Sequence, residues 1–293
     1  MLQFDTGILD LEQKPILLDS GCRRSNTVTM RYQAVRRAIL AMRERYMEQL
    51  SLAEIAEAAQ LSPFHFDRVF RSMIGVSPYV FLASIRMKEA KRLLLTTNHS
   101  VTGICFDVGY TSLGTFTSRF TLLVGLPPSR FRQFAREEIM QTRLGDLQNV
   151  LQCLRWYQPL SSSEGIKGSI HATEPFKGLI FTGLFSSPLP QGRPVGCCIQ
   201  ATPGSYSIPP VPDGEYYLFS AAIDQSQNFF SVLTQGPSMH GGRESLPIVV
   251  RNGCASKTRD IVLGPPSWAD PPIVVAFPWL FMQHFHQYSS LAM

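Results

Sequence analysis

The side chains with the most scope for chemistry in this chain are its cations, and they are unevenly placed. Fifteen of the 27 lysines and arginines fall between Arg31 and Glu137 against eight acidic residues, a balance of +7, while the remainder carries twelve cations and fourteen anions, a balance of −2. All the excess positive charge therefore lies in one contiguous third of the chain, as a surface that neutralises phosphates requires. Charge alone also allows an ordinary solvated basic face. Other reactive residue types are sparse. The six cysteines, Cys22, Cys105, Cys153, Cys197, Cys198 and Cys254, contain no C-x-x-C pair, so neither a zinc module nor a disulfide framework is expected and the thiols are read as reduced. Cys197 and Cys198 are adjacent in a predicted strand and are read as packing residues. His284 and His286 stand two apart without a third ligand nearby and are assigned to an aromatic-rich tail. There is no glycine-rich phosphate cradle, no Gly-x-Ser-x-Gly elbow and no His-Glu-x-x-His helix. The expectation is a non-enzyme with no metal and no cofactor.

The elements that would position those cations can be read from periodicity and caps. A length of 293 residues suits two domains, and 44% hydrophobic with 17% charged residues suits packed cores. No run reaches the roughly 18 apolar residues that span a bilayer, and Met1 to Asp10 lacks a basic-then-apolar leader pattern, so a cytoplasmic protein without a membrane partner is expected. Residues 1–29 show no sustained period and read as an N-terminal arm. From Tyr32, Val35, Ile39 and Met42 mark an amphipathic helix with arginines between them. Ser51 with Glu54 forms a capping-box pattern, and a short helix to about Gln60 follows. Ser62-Pro63 then opens a second helix to about Met73, closed by Gly75. Helix, tight turn and helix is a helix-turn-helix. A longer helix, Tyr79 to Thr96, is predicted to turn Phe81, Leu82, Ile85, Ala90 and Leu93 inward and to hold Arg86, Lys88, Lys91 and Arg92 on its polar side. The pattern then repeats: a helix from Ser100, a turn at Gly109-Tyr110, a helix from Ser112 to about Val124, a stop at Gly125 to Pro128, and a last helix through Phe131 and Phe134.

With those residues in view, the segment from about Met30 to Arg136 resembles the DNA-binding domain of the arabinose-operon (AraC/XylS-type) regulators. The resemblance is carried by Gly109-Tyr110-Thr111-Ser112, Phe116, Phe120, Gly125, Pro128 and Phe131-Arg132, behind Leu52 to Ala56 and Arg68-x-Phe70-Arg71. It implies that the helices from Ser62 and Ser112 are the readers, addressing successive major-groove faces about 34 Å apart. On the first, Phe64, Asp67, Arg68 and Arg71 share the outward sector if Phe66, Val69 and Phe70 point in. Arg68 is the candidate for a bidentate contact to guanine, and Asp67 for a cytosine amino group or for orienting Arg68. His65 suits packing or phosphate better than base reading. On the second, the matching positions are Leu113, Gly114, Thr117 and Ser118, with no long cation, and Arg119, Arg130 and Arg132 are candidate phosphate grips. Promoter duplex is the implied partner, with RNA polymerase a further candidate.

Beyond about Gln141 the texture reverses. Residues 138–166 read as a helical linker, with Leu144, Leu147, Leu151 and Leu154 at helical spacing before Ser161 to Gly165. Residues 167–293 are rich in proline, glycine and β-branched runs, with candidate strands Leu179 to Phe185, Val195 to Ala201, Gly204 to Ile208, Glu215 to Ile223, Leu246 to Val250, Arg259 to Leu263 and Ile273 to Ala276. The expected fold is thus multidomain α and β, an all-α double helix-turn-helix domain followed by an all-β, sandwich-like domain with a C-terminal tail. The stretch Pro194 to Leu218 resembles a transthyretin-like, carboxypeptidase regulatory-type sandwich, which implies an interaction role. An aromatic cluster including Tyr206, Tyr216, Tyr217, Phe219, Phe229, Phe230, Trp268, Phe277 and Trp279 suits a sandwich core better than an effector pocket. A small-molecule effector or a protein is the candidate partner of this half. No cysteine is followed by the His-Arg of a DNA alkyl-transferase centre. Two functions from different classes fit: a sequence-specific regulator, and an architectural or accessory DNA binder of low specificity.

Overall fold

The structure is a computed structural model, and it describes residues 22–141, 165–227, 229–241, 247–255 and 259–276. The arm up to residue 21, the linker helix expected at 142–158, Phe277, Trp279, His284 and His286 lie outside the described residues. The helical half runs α1 (Cys22–Glu44), α2 (Leu52–Ala58), α3 (Pro63–Ile74), α4 (Pro78–Thr96), α5 (Val101–Asp107), α6 (Leu113–Val124) and α7 (Pro128–Gln141). Helix α1 begins about ten residues before the predicted start. Residues 27–33 are all exposed and Ala34 is buried, so no apolar period marks the stretch before Ala34 from residue 27 on.

Two units related by a shift of 50 residues build this half. Phe66, Phe70 and Phe81 pack in a ladder in the first core, the first pair tilted and the second edge to face, with ring centroids 5.4 and 5.6 Å apart. Phe116, Phe120 and Phe131 repeat the ladder in the second at 5.8 and 5.7 Å. All six are fully buried, and such pairs contribute about 0.5–1.5 kcal/mol each beyond the area they bury. Gly75 and Gly125 close α3 and α6 in the left-handed region at φ 81° and 95°, donating to Arg71 and Thr121 carbonyls. Pro78 and Pro128 then open α4 and α7.

Helix α4 joins the units by burying side chains in both cores, Phe81, Leu82 and Ile85 in the first and Ala83, Met87, Ala90 and Leu94 in the second. It is not amphipathic in the expected way. Arg86 and Lys91, placed on the polar side by the sequence, are only 7% and 3% exposed, because a helix packed on two sides keeps too narrow a solvent face for four cations.

The C-terminal half contains β1 (Ile166–Ala172), β2 (Gly178–Phe185), β3 (Gly196–Gln200), β4 (Gly204–Ile208), β5 (Gly214–Asp224), α8 (Phe229–Gln235), β6 (Met239–Gly241), β7 (Ile248–Arg251), β8 (Cys254–Ala255) and β9 (Ile261–Leu263). A small sheet has the order β4-β1-β9, with β1 antiparallel to β4 and parallel to β9. The larger sheet is antiparallel in the order β3-β2-β5-β7-β8, and β6 also pairs with β5. Side chains from both sheets share one core, including Ile166, Ile170 and Tyr206 from the small sheet and Ile180, Leu184, Tyr216 and Val250 from the larger one. Tyr206 and Tyr216 are therefore core residues, with their hydroxyls donating to the Arg259 and Pro212 carbonyls.

The two halves share interior. Leu189 is buried in the first helical core, and Leu233, Val274 and Ala276 in the second. The α6 carbonyls of Leu123 and Val124, left without helical partners, accept from Gly192 N and Ala276 N at 3.0 and 3.2 Å. Residues 273–276, read from sequence as a strand, are instead an extended buried segment serving that helix end. On α1, the Trp268 indole nitrogen donates to the Tyr32 hydroxyl at 2.6 Å with the rings edge to face, and Arg43 donates to the Trp268 carbonyl at 3.0 Å.

Candidate nucleic-acid interface

Helix α2 starts with a complete capping box. The Ser51 hydroxyl accepts from Glu54 N, and the Glu54 carboxylate accepts from Ser51 N at 2.8 Å. The chain leaves α2 through Gln60 at φ 60°, with Leu61 N donating back to the Ala56 carbonyl at 3.0 Å, and Pro63 opens α3 at once. The second unit turns through Gly109 at φ 81°. A β-carbon there would stand 2.6 Å from the Met47 carbonyl oxygen, so this turn requires glycine for its conformation and for the approach of the α1–α2 connection. Gln49 closes the contact by donating to the Gly109 carbonyl at 2.7 Å.

Arg86 locks the two units together from α4. Its guanidinium donates to the Tyr46 and Glu48 carbonyls at 2.7 and 2.6 Å and lies 5.4 Å from the Tyr110 ring centre. A charged donor satisfying two carbonyls while stacked on an aromatic ring is a use that arginine's planar fork allows and lysine's ammonium does not. Sequence reading missed this role. The signal available was the spacing that put Arg86 one residue after the inward Ile85.

Of the four residues expected on the outward sector of α3, the structure leaves three exposed. With Phe66, Val69, Phe70 and Ile74 buried, Phe64 stands 82% exposed, and Arg68 and Arg71 are exposed beside it. Asp67 and His65 are half-buried. Asp67 accepts from Arg71 Nε at 2.8 Å, so it orients Arg71 one helical turn on and not Arg68. Arg68 makes no ion pair among the described residues.

On α6, Leu113, Gly114 and Ser118 are exposed and Thr117 is half-buried, over the buried Phe116, Phe120, Leu123 and Val124. The 50-residue shift sets Ser118 where α3 has Arg68, so this second face is smooth and nearly uncharged. The three candidate phosphate grips separate. Arg130 is exposed and donates to the Gln133 side-chain oxygen at 3.3 Å. Arg119 is half-buried with its guanidinium 5.3 Å from the Tyr79 ring centre. Arg132 donates to the Leu94 and His99 carbonyls at 3.1 and 2.6 Å, capping the C-terminal end of α4 and bracing the loop into α5. Arg132→Ala is accordingly expected to cost about 1–3 kcal/mol of stability, the usual range for hydrogen bonds to a charged group. Chemical denaturation checks this, and a loss below about 0.5 kcal/mol would show that water replaces the brace.

Two helix-turn-helix units with outward faces on α3 and α6, joined by one shared helix, define a double helix-turn-helix protein. Comparison with known proteins agrees: residues 55–133 match the helix-turn-helix domain family, and this part of the chain is a domain of the AraC type. Curated relatives include an uncharacterized helix-turn-helix transcriptional regulator, YobQ, of Bacillus subtilis, 33% identical over 85 residues that make up 29% of this chain and 35% of the relative. The transcriptional regulator ExsA of Pseudomonas aeruginosa is 30% identical over 121 residues, 41% of each chain. The bifunctional transcriptional activator and DNA repair enzyme AdaA of Bacillus subtilis is 30% identical over 93 residues, 32% of this chain and 44% of the relative. The chain thus matches less than half the length of each of these relatives. Among solved structures, the DNA-binding domain of AdpA in complex with a target DNA aligns with 38% of this chain and 99% of its own, at 28% identity and a TM-score of 0.36. No described helix is long and apolar enough to cross a membrane.

Proposed function

We propose that this chain is a sequence-specific transcription regulator that binds promoter duplex through α3 and α6 in successive major-groove segments. The observation that carries the reading is the repeated unit itself. A serine at the N-cap position, the phenylalanine ladder and the left-handed glycine recur after 50 residues, and both copies leave the outer face of the second helix open. The regulator names of the relatives matched by this segment support the same reading.

The two faces divide the work unequally. Arg68, with a free fork of donors, reads a guanine edge, and Phe64 beside it packs on sugar or a thymine methyl. Arg71, held by Asp67, grips phosphate with His65 nearby. On α6, Leu113 and Thr117 meet thymine methyls, Gly114 and Ser118 let the helix lie close, and Arg130 neutralises phosphate at the start of α7. Arg119 and Arg132 hold these helices in place. The β half communicates with the readers through the segments it buries in both helical cores, and it is the place for an effector or a protein partner. RNA polymerase is the partner through which binding would change transcription.

The test is selection from a random duplex pool by the full-length protein, followed by sequencing. The whole chain is needed, since a protein cut before the β half would expose the cavities now filled by Leu189, Leu233, Val274 and Ala276. The expected result is a motif of two blocks one helical turn apart, more strongly specified in the block under α3, and preferred over random duplex by at least about a thousandfold at fixed salt. Binding that fades with salt and yields no motif would leave the accessory DNA binder as the correct reading.

A further inference from the structure

We infer that the cleft where α1 and α4 meet the β half is a binding site for a small, doubly charged oxyanion of the phosphate type, with Lys91 at its floor and Arg43 and Lys88 at its rim. The cleft has a volume of about 120 Å³ and is closed on the β side by the Leu233–Pro237 turn and the Pro266–Ile273 loop. Drug-sized ligands occupy pockets of roughly 300 Å³ and more, so the occupant is a compact group of a few heavy atoms.

Lys91 carries the argument. Its side chain is 3% exposed and lines the cleft, yet it makes no hydrogen bond or ion pair among the described residues. Its ammonium stands over the face of Phe131, 5.9 Å from the ring centre. Lysine is rarely buried to this degree; the Lys91 ammonium is not sealed in the core and keeps its opening to the cleft, while burial of the rest of the side chain strips most of its hydration. Methionine would fill the same space without that cost. Burial, aided by the charge of Lys88, pushes the Lys91 ammonium down to about 7, so in the empty cleft it holds its proton only in part at neutral pH.

The charge of the lining names the ligand class. Arg43, Lys88 and Lys91 face one carboxylate, Asp270, and Asp270 lies close enough to favour the charged form of Arg43. With Lys91 protonated the lining carries two uncompensated positive charges, which a dianion balances and a monocarboxylate does not. Arg43 and Lys88 are exposed at the mouth, where they would draw the anion in, and Lys91 donates to it from below. An occupant would tie α4, the helix shared by both readers, to the loop that docks Trp268 on α1. That such binding alters DNA affinity rests on the regulator reading; the binding itself does not.

Inorganic sulfate is the probe, because it stays a dianion from pH 6 to 8.5 while Lys91 titrates. Calorimetric titration of the full-length protein, at ionic strength held with chloride, is expected to show one site. Arg43, Lys88 and Asp270 are the other charged groups in the cleft. With a Lys91 midpoint near 7, binding that needs its proton should be roughly 30-fold weaker at pH 8.5 than at pH 6. Lys91→Met should abolish the binding and leave the melting temperature unchanged or raised, whereas a lysine needed only for packing would lower it. Arg68→Ala, on α3 and outside the lining of the cleft, should bind sulfate normally, which separates the cleft from the proposed DNA surface. Inorganic phosphate and glycerol phosphate, titrated in parallel, distinguish a free ion from a phosphorylated metabolite by which binds more tightly. No single-site binding at either pH, or a Lys91→Met protein that binds like the parent, overturns the inference. A protein that binds sulfate in the cleft but selects no duplex motif loses the regulator reading alone.

Discussion

Replacing Phe120 with alanine is expected to destabilise the protein by about 3–5 kcal/mol, the range for emptying a buried phenylalanine site. The ring is fully buried between Phe116 and Phe131, whose centroids lie 5.8 and 5.7 Å away. It belongs to the core that α4, α5, α6 and α7 share with Leu233, Val274 and Ala276 of the C-terminal half. Elements fixed by so many contacts relax little into a cavity, so the cost should fall in the upper part of the range. Against a typical total stability of about 5–15 kcal/mol, the change removes roughly a fifth or more of what holds the domain together. Chemical denaturation should show a lower midpoint with an unchanged slope. Phe70→Ala, one repeat earlier, should cost a similar amount, since Phe70 occupies the same rung between Phe66 and Phe81. A loss below about 1 kcal/mol for either would mean that its ladder repacks and that the two cores are not built alike.

The largest functional effect is expected from Arg68→Ala. The side chain is exposed on α3, has no ion-pair partner among the described residues and sits beside the 82% exposed Phe64. Its removal breaks nothing internal, so stability should stay within about 0.5 kcal/mol of the parent. Binding to the selected duplex should weaken by about 1–3 kcal/mol, some 5- to 150-fold, with the preference for guanine lost at one position only. Titration against a set of duplexes carrying each base at each position makes the distinction. A loss spread equally over all sequences would reassign Arg68 to a phosphate. Ser118→Ala, at the equivalent place on α6, should alter affinity far less, because the group removed is a single hydroxyl.

Much of the helical half was legible because its signals are local. Ser51 with Glu54, Ser62-Pro63, Gly75 and Gly125 are punctuation whose physical meaning depends on a few neighbouring residues, and each stands where the chain enters or leaves a helix. The phenylalanines at helical spacing likewise sit inside, which left Phe64 and Arg68 outside. In the β half, alternation and turn residues located β2 to β5. They missed β1, whose burial falls on only Ile166 and Ile170 within seven residues, and α8, whose seven residues are too few to display a period.

The sequence by itself determined the repeated helix-turn-helix units, the order of an α half before a β half, and the difference between a cationic outer face on α3 and a nearly uncharged one on α6. Those properties follow from residue type and near-neighbour spacing. Only the tertiary structure decided what each cation is for. Arg86 and Lys91 lie in one helix five residues apart with similar flanks, yet one is spent on the Tyr46 and Glu48 carbonyls and the other is left facing a cleft. Arg130 is exposed where Arg132 caps α4. Residues 273–276, strand-like in sequence, finish a helix 150 positions away. A long cationic side chain reaches partners set by packing rather than by sequence neighbours, and a β-branched run is equally at home in a sheet or against a helix end. Such roles depend on which groups remain unsatisfied once the cores have formed.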